Sequence, residues 1–248
     1  MDKYLNEIIC GDNVEVLRKF PDNCIDLTVT SPPYDNLRTY NGYEWDFEGI
    51  ADELYRVTKD GGVVVWVVGD ATINGSETST SFRQALYFME IGFRLHDTMI
   101  YAKNNPIPLT HRRYEQQFEY MFILSKDRPK TFNGIREASA HAGEKRHRAY
   151  KSREYTSEGI RDRNEWTTVK DTKLRRNIWF YSVGNKNVTT DKIAYKHPAI
   201  FPEQLANDHI ISWSNPGDIV LDPFIGSGTT AKMAALNGRK YIGIDISE

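Results

Sequence analysis

The chain has 248 residues, with 32 Lys+Arg against 34 Asp+Glu for a net charge of −2, and 40% of its residues are hydrophobic. That is enough for one large α/β domain or two small ones, and no apolar run approaches the roughly 18 residues a membrane helix needs, which points to a soluble protein with no membrane partner. Two cysteines, Cys10 and Cys24, exclude a disulfide framework and fit a reducing cytoplasm with both as small core residues; Met1-Asp2-Lys3-Tyr4 lacks the basic and apolar regions of a secretion signal.

In chain order, Glu7 to Gly11 reads as a short strand, and Asn13 to Phe20 has helical spacing with Val14, Val16, Leu17 and Phe20 apolar. The apolar run Ile25 to Thr30 predicts a buried strand, which stops at Ser31-Pro32-Pro33-Tyr34. Prolines cannot donate to a ladder, and the residue before a proline is held extended, so these four residues form a rigid elbow exposing carbonyl oxygens and one ring. An irregular aromatic stretch follows. Phe47 to Thr58 predicts a helix with Ile50, Leu54 and Val57 on one face, stopped by Lys59-Asp60-Gly61-Gly62, and Val63 to Val68 is a strand apolar on both sides. Ser81 to Ile91 is a helix closed by Gly92, and His96 to Ala102 and Phe118 to Leu124 are strands suited to antiparallel pairing.

From Lys126 to Arg176 there are 15 Lys+Arg and 8 Asp+Glu, a local charge of +7 that leaves −9 on the rest of the chain. A basic insert in an acidic body suits a polyanionic partner. Residues 126–188 are polar and dotted with aromatics, without strong periodicity. Pro202 to Trp213 is again a helix, followed by the strand Asp218 to Leu221, the loop Asp222 to Thr229, the helix Thr230 to Asn237 and the strand Tyr241 to Ile244. Alternating strands and helices predict a mostly parallel α/β sheet, and ligands of such sheets sit just past the C-terminal ends of strands.

Two loops lie in that position: the elbow, and Asp222-Pro223-Phe224-Ile225-Gly226-Ser227-Gly228-Thr229. Glycines between a strand and a helix allow close approach of backbone to ligand. Asp245 lies 23 residues beyond Asp222, at the end of the next strand, a spacing suited to holding the two hydroxyls of a ribose. The third glycine of the dinucleotide fingerprint is missing, as is the Gly-Lys-Ser/Thr of a phosphate loop. An acidic Asp222 disfavours pyrophosphate and suits an ammonium group or hydroxyls.

Together with Lys196-His197-Pro198-Ala199-Ile200-Phe201-Pro202-Glu203, the elbow and the glycine loop resemble the amino-methylating (N4-cytosine/N6-adenine) DNA methyltransferases. The order of elbow before cofactor loop is similar to their circularly permuted β group. The resemblance covers nearly the whole chain outside about 126–188. It implies a Rossmann-like, S-adenosylmethionine-dependent methyltransferase fold, circularly permuted, with residues 1–125 as the catalytic part, 126–188 as a basic target-recognition insert and 189–248 as the cofactor-binding part. It also implies double-stranded DNA as partner, and leaves open a paired restriction endonuclease and a homodimer.

Carried onto this sequence, the resemblance places Phe224, Gly226, Ser227 and Thr229, with Pro223 and Gly228 of the same loop, around the methionine part of the cofactor. Asp222 would lie at its ammonium end, Asp245 on the ribose and Asp12 near the adenine. His197, Pro198, Phe201 and Pro202 would close from the other side, and Thr30 would border the cofactor beside the elbow. Asp12 has an alternative reading as a helix cap, and Phe201 as a core residue. In the family a helix follows the Gly-Ile-Asp strand; here only Ser247-Glu248 follow, which leaves the support of the adenine pocket open.

An exocyclic amino group on a base is a poor nucleophile, because its lone pair is delocalised into the ring. Two fixed acceptors, the Ser31 side chain and the Pro32 carbonyl, would draw that lone pair out, with Pro33 as a rigid neighbour lacking a donor. Tyr34 would stack on the flipped base, worth about 1–3 kcal/mol against the cost of unstacking it. No metal is required, and the six histidines show no ligand spacing. Carbon-5 methylation needs a cysteine nucleophile beside a proline, and neither cysteine follows one. In the resembled family serine at the first elbow position goes mostly with cytosine N4, which favours that base over adenine N6.

In the insert, Arg146, Arg148, Arg153, Arg161, Arg163, Arg175 and Arg176 suit contacts to phosphates or guanines, and Tyr150, Tyr155, Trp166 and Trp179 suit packing or wedging. The stretch Arg38 to Trp45 suits a loop that closes on the base. A protein-modifying methyltransferase, which would carry Asn-Pro-Pro-Tyr, is a rival reading that Ser31 and the basic insert disfavour. A binding module without activity would show a damaged elbow or glycine loop, and both are intact.

Overall fold

A computed structural model of the chain describes residues 1–34, 45–106, 112–147, 154–156, 159–161, 166–184, 188–189 and 201–247, with backbone alone at 147, 154–156 and 159–161. Its main sheet has eight strands: β1 (Glu7–Cys10), β2 (Ile25–Thr30), β3 (Thr58–Val68), β4 (Arg94–Lys103), β5 (Phe118–Ser125), β6 (Ile178–Tyr181), β7 (Ile219–Asp222) and β8 (Lys240–Asp245). The helices are α1 (Asn13–Leu17), α2 (Phe47–Val57), α3 (Thr80–Glu90), α4 (Glu203–Trp213) and α5 (Thr229–Leu236). Across the sheet the strands run β1-β8-β7-β2-β3-β5-β4-β6. Every neighbouring pair is parallel except the two that involve β5, which runs against both β3 and β4. The expected antiparallel pairing of the strands around His96 and Phe118 is therefore present.

Both faces of this sheet are covered. In β3, Val64, Trp66 and Val68 belong to one cluster with Val16 and Leu17 of α1, Ile50 and Leu54 of α2 and Phe88 of α3. Val63, Val65 and Val67 alternate with them and are just as buried, on the face where α4 packs against β2 and α5 against β7 and β8. Trp66 is fully buried and its indole N–H donates to Gln84 Oε1 of α3 at 2.9 Å, so the ring adds apolar burial without stranding a donor. Asp46 caps α2 by accepting from Gly49 N at 3.0 Å. Among the described residues no helix is long and apolar enough to cross a membrane.

Two sequence expectations change. Lys59-Asp60-Gly61-Gly62 does not separate α2 from a strand at Val63; it is the first part of β3. Thr58 pairs with Ile25 and Val63 with Leu27, so these four residues bulge opposite Asp26, with Gly61 at φ +79°. The bulge is held from outside: Gly61 N donates to Lys126 O, and Lys59 Nζ lies 2.7 Å from Asp26, whose carboxylate also accepts from Ile219 N of β7. Cys24 is buried, but Cys10 is exposed, because β1 is an edge strand of the sheet.

The described residues form two compact units, Met1–Asn133 with Asn177–Glu248, and Gly134–Arg176. The smaller one has more order than its sequence suggests. Arg136–Ala138 pairs antiparallel with Thr172–Leu174, Lys145–His147 with Trp166–Thr168, and Glu154–Thr156 with Gly159–Arg161. The pairs nest in sequence as short two-stranded ribbons, and a turn at residues 139–144, where Gly143 has φ +79°, separates the first from the second. Short pairings of three residues, broken by that irregularity, leave no periodic signal in sequence. Ile178–Tyr181, by contrast, pairs with β4 at the edge of the main sheet.

Candidate active site

Because β7 and β2 are parallel neighbours, with Val220 opposite Leu27, their C-terminal ends lie side by side and the loops that follow emerge together. Thr30 Oγ1, the last side chain of β2, donates to Asp222 Oδ1 at 2.6 Å. Phe224 N donates to the same oxygen at 3.0 Å. Asp222 is buried, and that burial pushes its carboxyl up to about 6, against the hydroxyls of Thr30 and Thr230 and the Phe224 N–H, which favour the ionised form. Asn13 Nδ2 donates to the Pro223 carbonyl at 3.3 Å. The elbow and the glycine loop are thus one constellation.

The glycine loop is anchored at its other end by Asp245. Gly226 N donates to Asp245 Oδ2 at 2.9 Å, while Ser247 N and Oγ donate to Oδ1. Gly226 and Gly228 have φ +48° and +84°, a backbone region open to glycine. Phe224, Gly226, Ser227 and Gly228 are partly exposed, whereas Pro223 and Thr229 are buried. Trp45 stands edge-on to Phe224, with ring centres 5.1 Å apart, and also meets Trp66. The sequence suits Trp45 to a loop closing on the base; in the structure it forms the wall beside Phe224.

In the elbow Pro32 is buried and Ser31, Pro33 and Tyr34 are partly exposed. Ser31 Oγ lies 2.9 Å from the Tyr34 hydroxyl, which donates to Glu119 Oε2 at 2.8 Å. Glu119 pairs in turn with Lys103 Nζ at 2.7 Å. Burial, and next the charge of Glu119, push the Tyr34 hydroxyl well above its ordinary range. The ring lies over Gly69, where a Cβ would stand in ordinary contact with it at 3.5 Å.

Asp12 sits next to this group, since Gly11 N donates to Asp245 O, but its side chain caps α1 by accepting from Glu15 N at 3.0 Å. Its helix-cap reading is therefore realised. Phe201 is partly exposed and Pro202 is buried at the start of α4, where the next residue, Glu203, pairs with Lys232 of α5 at 2.7 Å. His197 and Pro198 lie outside the described residues, as do 35–44 of the aromatic stretch. Arg148, Tyr150, Arg153 and Arg163 also lie outside, and the side chains of Tyr155 and Arg161 are not described. Sequence reasoning missed Asn13, Glu119 and Lys103. The only signal for Glu119 was an acid inside the apolar strand Phe118 to Leu124.

A family model described as DNA methylase, of the N6- and N4-methylating class, matches residues 25–248. The chain belongs to the amino-methylating DNA methyltransferases. It is 59% identical over 229 residues to the orphan methyltransferase M.BamHII of Bacillus amyloliquefaciens, covering 92% of this chain and 86% of that one. It is 27% identical over 256 residues to the type II methyltransferase M.BglII of Bacillus subtilis, covering 99% and 67%. Among solved structures it resembles the cytosine-N4-specific PvuII DNA methyltransferase in fold, with a TM-score of 0.69 at 20% identity over 97% of this chain and 82% of that one. It also resembles TTHA0409 of Thermus thermophilus complexed with S-adenosyl-L-methionine, with a TM-score of 0.60 at 25% identity over 96% and 88%.

The methyltransferase uses S-adenosylmethionine. The residues present fit that cofactor: between Asp222 and Thr229 the backbone is open at two glycines, the carboxylates of Asp222 and Asp245 hold the loop, and the loop itself carries no Lys or Arg for a phosphate.

Proposed function

We propose that this DNA methyltransferase acts on the N4 amino group of a cytosine flipped out of double-stranded DNA. The observation that carries the reading is the Thr30–Asp222 hydrogen bond, which joins the end of the elbow strand to the start of the glycine loop. An amino group held at the elbow then lies beside whatever the loop holds. When bound, S-adenosylmethionine supplies an electrophilic methyl group on sulfonium. The chain's own residues do the rest. Asp222, Phe224 and the 226–229 backbone hold the methionine end, and Asp245 the ribose. Ser31 Oγ and the Pro32 carbonyl accept the two amino hydrogens and turn the nitrogen lone pair outward. Tyr34 borders the base. Serine at position 31 is the support for cytosine.

The small unit suits the recognition role. A two-stranded ribbon fits the major groove, and Arg146 lies in one, with Arg175 and Arg176 in the same compact unit. Unmethylated genomic DNA treated with the enzyme and S-adenosylmethionine, then digested to nucleosides for mass spectrometry, should contain N4-methylcytosine. N6-methyladenine alone would sink the cytosine assignment, and no methylated base at all would sink the reading. Ser31→Ala should still bind cofactor and should lose about a hundredfold or more in transfer rate; equal activity would remove Ser31 from the mechanism.

A further inference from the structure

We propose that Glu119 and Lys103 are positioning residues that set the direction of hydrogen bonding through Tyr34, so that the Ser31 hydroxyl meets the substrate amino group as an acceptor. This rests on the reading of Ser31 as the amino-group acceptor. A serine hydroxyl is equally able to donate. If its proton pointed at the amino nitrogen, it would occupy the lone pair that must attack, and the elbow would inhibit the reaction it is built for. Something must turn that proton away.

The structure supplies it. Glu119 carries the salt bridge to Lys103 at 2.7 Å, and a carboxylate so paired only accepts. The Tyr34 hydroxyl has a single proton, and Glu119 Oε2 takes it at 2.8 Å. Of the two hydroxyls that meet 2.9 Å apart, Tyr34 has then no proton left to give, so Ser31 donates to Tyr34. Its lone pairs are left for the substrate. Each group in the chain has one role, fixed from the charged end inward.

Topology explains how the acid reaches the elbow. β5 runs against its neighbours, so its first residues lie at the edge where β2 and β3 finish. Val68 of β3 pairs with Tyr120, and Glu119 comes just before it. Tyr101 of β4 pairs with Glu119, and Lys103 closes that strand. A strand parallel to the others would present its C-terminal end here instead. The Tyr34 ring and the Glu119 stem both lie beside Gly69, a Cβ there standing 3.6 Å from Glu119 Cγ, an ordinary contact.

The test uses five variants of the full chain. In Glu119→Gln, Lys103 retains the amide oxygen and the NH2 faces Tyr34; the chain reverses, and Tyr34 gives its proton to Ser31. The turnover rate on genomic DNA should fall by about a hundredfold, with the KM for S-adenosylmethionine and the melting temperature near wild type. Adding Lys103→Met to Glu119→Gln frees the amide to rotate its oxygen toward Tyr34, and the double variant should regain much of the lost rate. Tyr34→Phe, which breaks the chain, should lose rate whether residue 119 is Glu or Gln, and the two should be alike. A Glu119→Gln enzyme as fast as wild type, or a double variant slower than the single one, would overturn the positioning role and leave the reading of the elbow standing. A Ser31→Ala enzyme as fast as wild type would overturn that reading and this inference with it.

Discussion

Asp222 is a carboxyl whose chemistry departs from its ordinary behaviour. Burial raises its carboxyl to about 6, so between roughly pH 4 and pH 6 the folded chain holds a proton that the unfolded chain has released. The sign follows: this group favours folding most below that window, and its contribution is lost as pH rises through 6. Cofactor binding runs the other way. An ammonium group placed beside Asp222 favours the ionised form, so binding below pH 6 must expel the proton. Affinity for S-adenosylmethionine should be about tenfold weaker at pH 5 than at pH 7.5, with proton release seen by calorimetry in buffers of different ionisation enthalpy. Equal affinities would place the ammonium elsewhere. At this scale Ser31, Asp222 and Asp245 were legible because strand-end prolines, glycines and acids are rare combinations. Glu119 and Lys103 were not, since their meaning lies in Tyr34 of the elbow, 85 positions away from Glu119.

Between β8 and the glycine loop the decisive contact is steric. A Cβ on Gly243 would stand 2.8 Å from Ile225 Cγ1, so the loop rests on this strand through the absence of a side chain. Gly243→Ala must push Ile225 and its flanking residues outward. Stability should fall by about 1–3 kcal/mol in urea unfolding, and S-adenosylmethionine affinity should fall with it; a variant that binds cofactor as wild type would show that the loop does not need this seat. The elements themselves were largely readable. The helices α2, α3 and α4 begin and end within a residue or two of their sequence signals, because caps and apolar faces are local. The start of β3 was misread for the converse reason. Gly61-Gly62 looks like a stop in isolation, and becomes strand only because the turn after β5 hydrogen-bonds to it.

For the molecule as a whole, the uneven charge and the ribbon make one prediction. If the ribbon tracks DNA phosphates, replacing Arg146, Arg175 or Arg176 with Gln should lower the slope of log affinity against log salt by about 0.9 for each phosphate left without its arginine. Fluorescence anisotropy across a salt series would read this, and three unchanged slopes would take the ribbon away from the backbone. The α/β class and the order of motifs were visible along the chain, whereas the ribbon was hidden by its short, interrupted pairings. The pairing of β2 with β7 also dictates when the enzyme comes into being. Thr30 and Asp222 are 192 positions apart in the chain. At ribosomal rates of about 5–20 residues per second, the elbow is made on the order of 10–40 s before the residue that joins it to the glycine loop. A chain still in synthesis therefore has no place to bring a methyl group to a base, and is inert by topology until β7 arrives.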